Sequence, residues 1–281
     1  MTDPFSLDGI GDDETSAVIT EPKPDVPLAN LETWAEQQLT GVDSEPEEVV
    51  IFDIETGPKS EAELRGMFQE KTLEQFAATY NRSKNPDTIA AKYQEYRVTA
   101  WDTFAEKGAL SAVTGHVLLI GMICRGEVYQ YGNVNGNNEA DILTKCWSEI
   151  EAALTDRLPI IGHNSNGFDL PYLVTASWIL GVPVPREVRQ GRYWNPLFRD
   201  TMLHWNHGDP HKYTKLNELG RIFGLGQKTE GVEGKDFSKL WFGQMPADKW
   251  GTPEDQRRLA LEYNEQDLRL TAAIAARMGM V

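Results

Sequence analysis

The apolar run VVIFDI (49–54) is β-branched and closed by Gly57-Pro58, which predicts a buried strand. Residues 61–108 change to helical spacing: Leu64, Met67 and Phe68, then Leu73, Phe76, Ala77 and Tyr80, and a second stretch from Pro86 to Lys107. This predicts a long helical insertion after the first strand. The segment HVLLIGMICRGEVYQYG reads as two strands meeting at Arg125-Gly126, a hairpin. A helix from Glu139 to Leu154, a short strand in LPIIGH, a turn in NSNG and a helix from Asp169 to Leu180 follow. Asp200-Thr201-Met202 ends a segment leading to a helix over Leu216–Phe223, and the last helix runs from Pro253 to Met278. Strands first and helices interleaved later indicate an α/β fold, a mixed central β-sheet flanked by helices. No internal repeat is visible, and residues 47–281 are read as one domain.

Residues 1–46 lack this patterning. They are rich in Asp, Glu, Pro, Gly, Ser and Thr, and too poor in apolar side chains to offset the entropy of ordering. The expectation is an acidic, disordered arm with one short helix at most, around Leu31–Leu39. Such an arm either solvates the chain or engages a protein partner. It also changes the meaning of the net charge of −16. Residues 1–48 hold 13 acids against one base, Lys23, so the domain itself carries only −4. Global acidity therefore does not argue against a nucleic-acid substrate.

Composition narrows the setting. A hydrophobic fraction of 40% with eight Trp, nine Tyr and ten Phe suffices for a substantial core. No apolar run approaches the roughly 18 residues needed to span a membrane, and the N-terminus lacks the basic and apolar regions of a secretory signal. With only Cys124 and Cys146 there is no disulfide framework and no CxxC site, so a reducing, cytoplasmic location is expected.

Three clusters carry candidate chemistry. In VVIFDIETGP, strand alternation projects Asp53 and Glu55 to one face and Phe52 and Ile54 to the other. Two like charges this close favour a hard divalent cation such as Mg²⁺ or Mn²⁺; the bland alternative is a solvated strand end. In LPIIGHNSNGFDLPYL a loop delivers Asp169 to a helix start. Taken alone, Asp169 is better read as a helix cap than as a ligand. In LALEYNEQDLRLTAAIA, Tyr263 and Asp267 stand at i and i+4 on a helix face that continues through Leu259 or Ala260 to Leu270, Thr271 and Ile274. That face points at the core, so phenol and carboxylate need partners there; a plain Tyr–Asp hydrogen bond would also satisfy them.

Together the clusters resemble the DEDD superfamily of exonucleases, in the subgroup with tyrosine in the third motif (DEDDy). The similarity is to the proofreading domain of family B DNA polymerases. Asp53-Ile54-Glu55-Thr56 matches a D-I-E-T first motif. Asn164, Phe168, Asp169, Pro171, Tyr172 and Leu173 match N-x-x-x-F-D-x-P-Y-L, and Tyr263 and Asp267 match Y-x-x-x-D. The resemblance covers residues 49–281, most loosely over 58–112, and the helical insertion is similar to that of stand-alone, phage-type members. No polymerase carboxylate motif is found and nothing after Met278 could hold a polymerase, so a free-standing exonuclease or a subunit is expected.

The resemblance implies an RNase H-like fold and a metal-dependent 3′–5′ exonuclease. Two divalent ions, Mg²⁺ or Mn²⁺, would be held by Asp53, Glu55, Asp169 and Asp267, and nucleoside 5′-monophosphates would leave the 3′ end of single-stranded DNA. Asp53 would bridge both ions, Glu55 and Asp267 would complete one site, and Asp169 would hold the other. Tyr263, a phenol of ordinary pKa about 10, is assigned to orienting water and phosphate rather than to taking a proton. Thr56, Asn164, Phe168 and Tyr172 are substrate-binding candidates, with core packing weighed evenly against stacking for Tyr172. The insertion bases Arg82, Lys84, Lys92, Arg97 and Lys107 could track a phosphate backbone, although scattered exposed bases usually serve solubility. The alternatives are an exoribonuclease of the same superfamily and a non-catalytic nucleic-acid-binding scaffold. Such scaffolds usually lose a metal acid, and none is lost here.

Other signals are set aside. His204, His207 and His211 lie in a Gly/Pro-containing loop without cysteine support for zinc. His163 lies in the wrong motif for the histidine subgroup. The stretch GLGQKTEGVEG (224–234) lacks the strand–GxGxxG–helix context and reads as a loop, with Lys228 as its only phosphate candidate.

Overall fold

The computed structural model describes residues 48–133, 138–190, 193–225 and 234–281. The acidic arm, its expected helix and Lys228 lie outside the described residues.

The first strand, β1 (Val50–Pro58), is the centre of the sheet. It pairs antiparallel with β2 (Gly115–Cys124), which pairs antiparallel with β3 (Glu127–Gly132). On its other side β1 runs parallel to β4 (Ile160–Gly162), which pairs with β7 (Phe198–Asp200). The sheet order β3-β2-β1-β4-β7 is mixed, as the patterning predicts. A separate two-stranded ribbon joins β5 (Arg189–Gln190) to β6 (Tyr193–Trp194). The β2–β3 turn falls at Arg125-Gly126, both with positive φ (51° and 80°), the conformation a tight hairpin turn requires.

Alternation along β1 divides the core. Val50, Phe52 and Ile54 face helices α4 (Glu139–Thr155) and α5 (Asp169–Leu180), where Leu143, Trp147, Ile150, Leu170 and Leu173 complete the larger apolar cluster. The opposite face is covered by the long helix α10 (Pro253–Arg277). There Ile51 and Ile161 meet Leu268 and Ala275. Thr252 caps α10, accepting from Asp255 N (3.2 Å) and taking the Asp255 carboxylate on its own backbone N–H (3.0 Å), with Pro253 in the first turn.

The strand runs further than the sequence indicates. Gly57-Pro58 does not close it, because Pro58 still pairs with Gly115 on β2. Only β2 pairs there, so the missing proline N–H breaks no ladder on the other side. A bulge between Glu55 and Thr56 skips Leu118 and bends the strand beside the carboxylates.

The insertion forms three helices, α1 (Glu61–Met67), α2 (Leu73–Thr79) and α3 (Pro86–Glu106). Its aromatic side chains pack on one another: Phe68 with Trp101 and Phe104, and Phe76 with Tyr80, Tyr93 and Tyr96. Two of its bases are spent on acids, Arg97 on Glu70 (2.6 Å) and Lys92 on Glu95 (2.7 Å), which favours solubility over backbone tracking for these two. The remaining helices are α6 (Thr201–Trp205), α7 (Leu216–Phe223), α8 (Phe237–Trp241) and α9 (Ala247–Trp250).

Helix α8 is not foreseen from the sequence and matters for the site. Trp241 stacks on Phe237 (6.0 Å between centroids), and Phe237 packs against Tyr263 at the same separation. The Trp241 ring lies on Gly132, where a Cβ would sit 2.7 Å from its edge, and its Nε1 donates to Asn133 O (3.0 Å). Trp241→Ala empties this contact and should cost about 3–5 kcal/mol in urea unfolding, the range for large aromatic truncations in a core.

Candidate active site

Asp53, Glu55 and Asp267 converge. Each offers a carboxylate oxygen within 4.8 Å of the others, two from the central strand and one from the helix laid across it. Glu55 and Asp267 are buried and Asp53 is half-buried. Three like charges at this distance, away from bulk water, are unfavourable without a cation. The donor set is oxygen only, which matches Mg²⁺ or Mn²⁺ rather than zinc. No other such group of His, Cys, Asp and Glu is found among the described residues.

Asp169 is the first residue of α5, and Phe168, not Asp169, occupies the cap position. Its Oδ1 accepts the N–H of Ile54 (3.1 Å), the residue between Asp53 and Glu55. The physical reason is local. Strand β4 pairs with β1 only at Val50 and Ile51, so no strand reaches the Ile54 N–H. The carboxylate fills that position and ties the second motif to the first. Burial pushes the Asp169 carboxyl up to about 7; the hydrogen bond from Ile54 opposes this and the charge of Asp200 adds to it.

Asp200 organises the loop that carries Asn164, a role absent from the sequence reading. Its Oδ1 accepts from Asn164 N (3.0 Å), Met202 N (2.9 Å) and Leu203 N (3.1 Å), and its Oδ2 from Asn166 N (3.0 Å). One buried carboxylate thus caps α6 and fixes the NSNG turn, in which Asn164 holds a left-handed φ of 59°. An aspartate directly before the TMLHW helix is the signal that marks it.

Tyr263 is buried on α10 among Leu118, Leu119 and Phe237. Thr56 donates from Oγ1 to Ala109 O (2.8 Å), joining strand and insertion. Phe168 is half-buried, its ring 5.6 Å from that of Tyr172. Tyr172 itself is only 4% exposed, and its ring packs in the larger core. Its hydroxyl has no hydrogen-bond partner among the described residues, and burial pushes the phenol pKa up.

His163 is committed to structure, pairing with Thr201 Oγ1 and Thr214 O at 2.9 Å each. His204, His207 and His211 are exposed. A residue overlooked in the sequence is Asn264, one position after Tyr263. Its Nδ2 donates to Asp53 Oδ2 (3.0 Å).

The family model of the RNase_H superfamily matches residues 105–279. The chain belongs to that superfamily. The match includes Asp169, Tyr263 and Asp267 and begins beyond the strand that carries Asp53 and Glu55. Membership supports an enzyme acting on nucleic acid, and the mixed sheet flanked by helices is the RNase H-like fold. The chain is also similar to the family B DNA polymerase of the hyperthermophilic archaeon Pyrobaculum calidifontis, with 20% identity and a TM-score of 0.50 over 83% of this chain. It spans only 24% of that polymerase, and at this identity the likeness speaks for the fold. No curated protein sequence matches the chain. No helix among the described residues is long and apolar enough to cross a membrane.

Two outcomes follow from the buried aspartates. Because the folded pKa of Asp169 lies above that of an unfolded carboxyl (about 3.9), the folded chain holds a proton that the unfolded chain releases. In chelator, its contribution to stability is full below about pH 4 and is lost as pH rises through 7; Asp169→Asn should remove that slope from urea midpoints measured over pH 4–8. Asp200→Ala strands four backbone N–H groups and should destabilise by about 3 kcal/mol or more in the same assay.

Proposed function

We propose that the protein is a metal-dependent 3′–5′ exonuclease of the tyrosine subgroup, acting on single-stranded DNA ends and releasing nucleoside 5′-monophosphates. The observation that carries this reading is the meeting of Asp53, Glu55 and Asp267, from distant parts of the chain, within 4.8 Å. The order of the three motifs and the superfamily membership support it.

Asp53, Glu55 and Asp267 would hold one divalent ion, and Asp169 with Asp53 a second. When bound, the pair supplies charge stabilisation for an in-line displacement at phosphorus and a more acidic water. The chain's own part is to orient and enclose. Strand β1 fixes the spacing of Asp53 and Glu55, and helix α10 brings Asp267 over them. Tyr263 is held by Phe237 and Leu118, so its hydroxyl has few positions from which to align water or phosphate. Asn164, in a turn fixed by Asp200, is the candidate contact to the terminal nucleotide, and Phe168 offers a half-buried ring to its base. Two free cysteines, Cys124 and Cys146, fit a reducing, cytoplasmic setting, and the acidic arm is a candidate contact for a protein partner.

End-labelled single-stranded DNA and RNA, each labelled at 3′ or 5′, test the reading with Mg²⁺, Mn²⁺ or EDTA. The expected outcome is metal-dependent loss of the 3′ label as mononucleotide, faster on DNA. Asp53→Ala should lose two orders of magnitude or more, on the order of removing a key electrostatic group, and Tyr263→Phe less. Shortening from the 5′ end would overturn the polarity. Activity indifferent to both EDTA and Asp53→Ala would overturn the nuclease assignment.

A further inference from the structure

Asn264 belongs to a row of residues across the sheet. Asp53 on β1 pairs with Gly121 on β2, and Gly121 with Gln130 on β3, so the three share the face that α10 covers. The Asn264 amide descends from α10 onto this row and is fully buried, at 0% exposure. It fits only because position 121 lacks a side chain: a Cβ there would stand 2.0 Å from Asn264 Oδ1 and 2.8 Å from its Cγ. Any other residue at 121 would expel the amide.

The hydrogen bonds have a direction. Gln130 Nε2 donates to the main-chain carbonyl of Leu261 (2.8 Å), which can only accept. The same Nε2 donates to Asn264 Oδ1 (3.2 Å), so the Asn264 oxygen faces Gln130 and its Nδ2 must face Asp53, to whose Oδ2 it donates at 3.0 Å. A backbone carbonyl thereby fixes the polarity of two amides and presents a donor, never an acceptor, to the carboxylate. An amide flipped the other way would set oxygen against oxygen.

We propose that Gln130 and Asn264 form a polarised relay that positions Asp53 for metal binding, with Gly121 as the gap that admits it. This rests on the metal-dependent reading above. Asn264 is a positioning residue: it holds one carboxylate oxygen in place while keeping the site's charge unchanged. An aspartate at 264 would hold the same volume but add one more negative charge to the site. Partners behind a ligand orient it, and their loss typically costs 10–100-fold in metal affinity or activity.

The test uses neutral, near-isosteric changes in the full chain: Asn264→Leu, Gln130→Met and the double variant. Mn²⁺ affinity is read by electron paramagnetic resonance, and nuclease rate is followed as a function of Mn²⁺. Asn264→Leu should weaken Mn²⁺ binding about 10–100-fold, and Gln130→Met several-fold. Because Gln130 acts through Asn264, the double variant should bind no more weakly than Asn264→Leu alone. At saturating Mn²⁺ the rate should recover most of its loss, a split that simple loss of packing would not produce. Mn²⁺ affinity within twofold of wild type in Asn264→Leu overturns the proposal, as do effects of the two changes that multiply. Should Asn264→Leu fail to fold, Gln130→Met decides alone, and unchanged affinity there overturns the relay. Wild-type protein that binds no Mn²⁺ instead overturns the metal-dependent reading beneath it.

Discussion

Carboxylate repulsion is the constraint around which the rest of this structure is arranged. Asp53, Glu55 and Asp267 are driven together against their mutual charge by elements that have other reasons to meet. Helix α10 lies on β1 because Leu268 and Ala275 need cover and Ile51 and Ile161 offer it. Each fully buried Leu or Ile side chain contributes about 1.5–3 kcal/mol, enough in sum to outweigh the repulsion of a few partly screened acids. The cluster is therefore a stored cost, and a divalent ion that binds only the folded form would relieve it.

Two buried aspartates close to one another show how environment divides one chemistry into two roles. Asp200 is surrounded by donors, four backbone N–H groups, and its charge is consumed in fixing a turn and a helix start. Asp169 has the Ile54 N–H and little else to offset its burial, so its carboxyl is pushed up to about 7. A carboxylate left short of donors gains more from a nearby cation than one already saturated with them. By ending β4 at Gly162 the fold leaves the Ile54 N–H unpaired by any strand, and that donor is what Asp169 receives from β1.

The sequence was most informative where a period could be counted. Alternation placed Asp53 and Glu55 on one face, and helical spacing placed Tyr263 and Asp267 on a buried face of α10; the structure agrees with both. It was least informative where a residue's partner lies far along the chain. Asn264 stands beside Tyr263 and reads as an ordinary polar residue, since its contacts are 134 and 211 positions away. Gly121 looks like a break in an apolar strand until the amide opposite it is seen. Tyr172 matched a motif, which records identity and not exposure, and its burial could not be read from the motif. Helix α8 is too short for its period to stand out, yet it fixes the ring beside Tyr263.

The family match begins at residue 105, inside the insertion, while the first motif stands before it at Asp53. Residues 59–114 leave and re-enter the sheet at one point, with Lys59 N donating to Thr114 O (2.9 Å) where Pro58 still pairs with Gly115. Closing a longer loop between fixed ends costs only about 0.6 kcal/mol per doubling of its length, so the excursion need not disturb the register of β1 on β2. It contributes its own small aromatic packing, is tied to β1 by Thr56 to Ala109, and is braced internally by Thr114 to Gly108. The carboxylates of β1 therefore stay in the same site as Asp267 although a long excursion of the chain lies between them. The sheet, and not proximity along the chain, keeps the first motif in place.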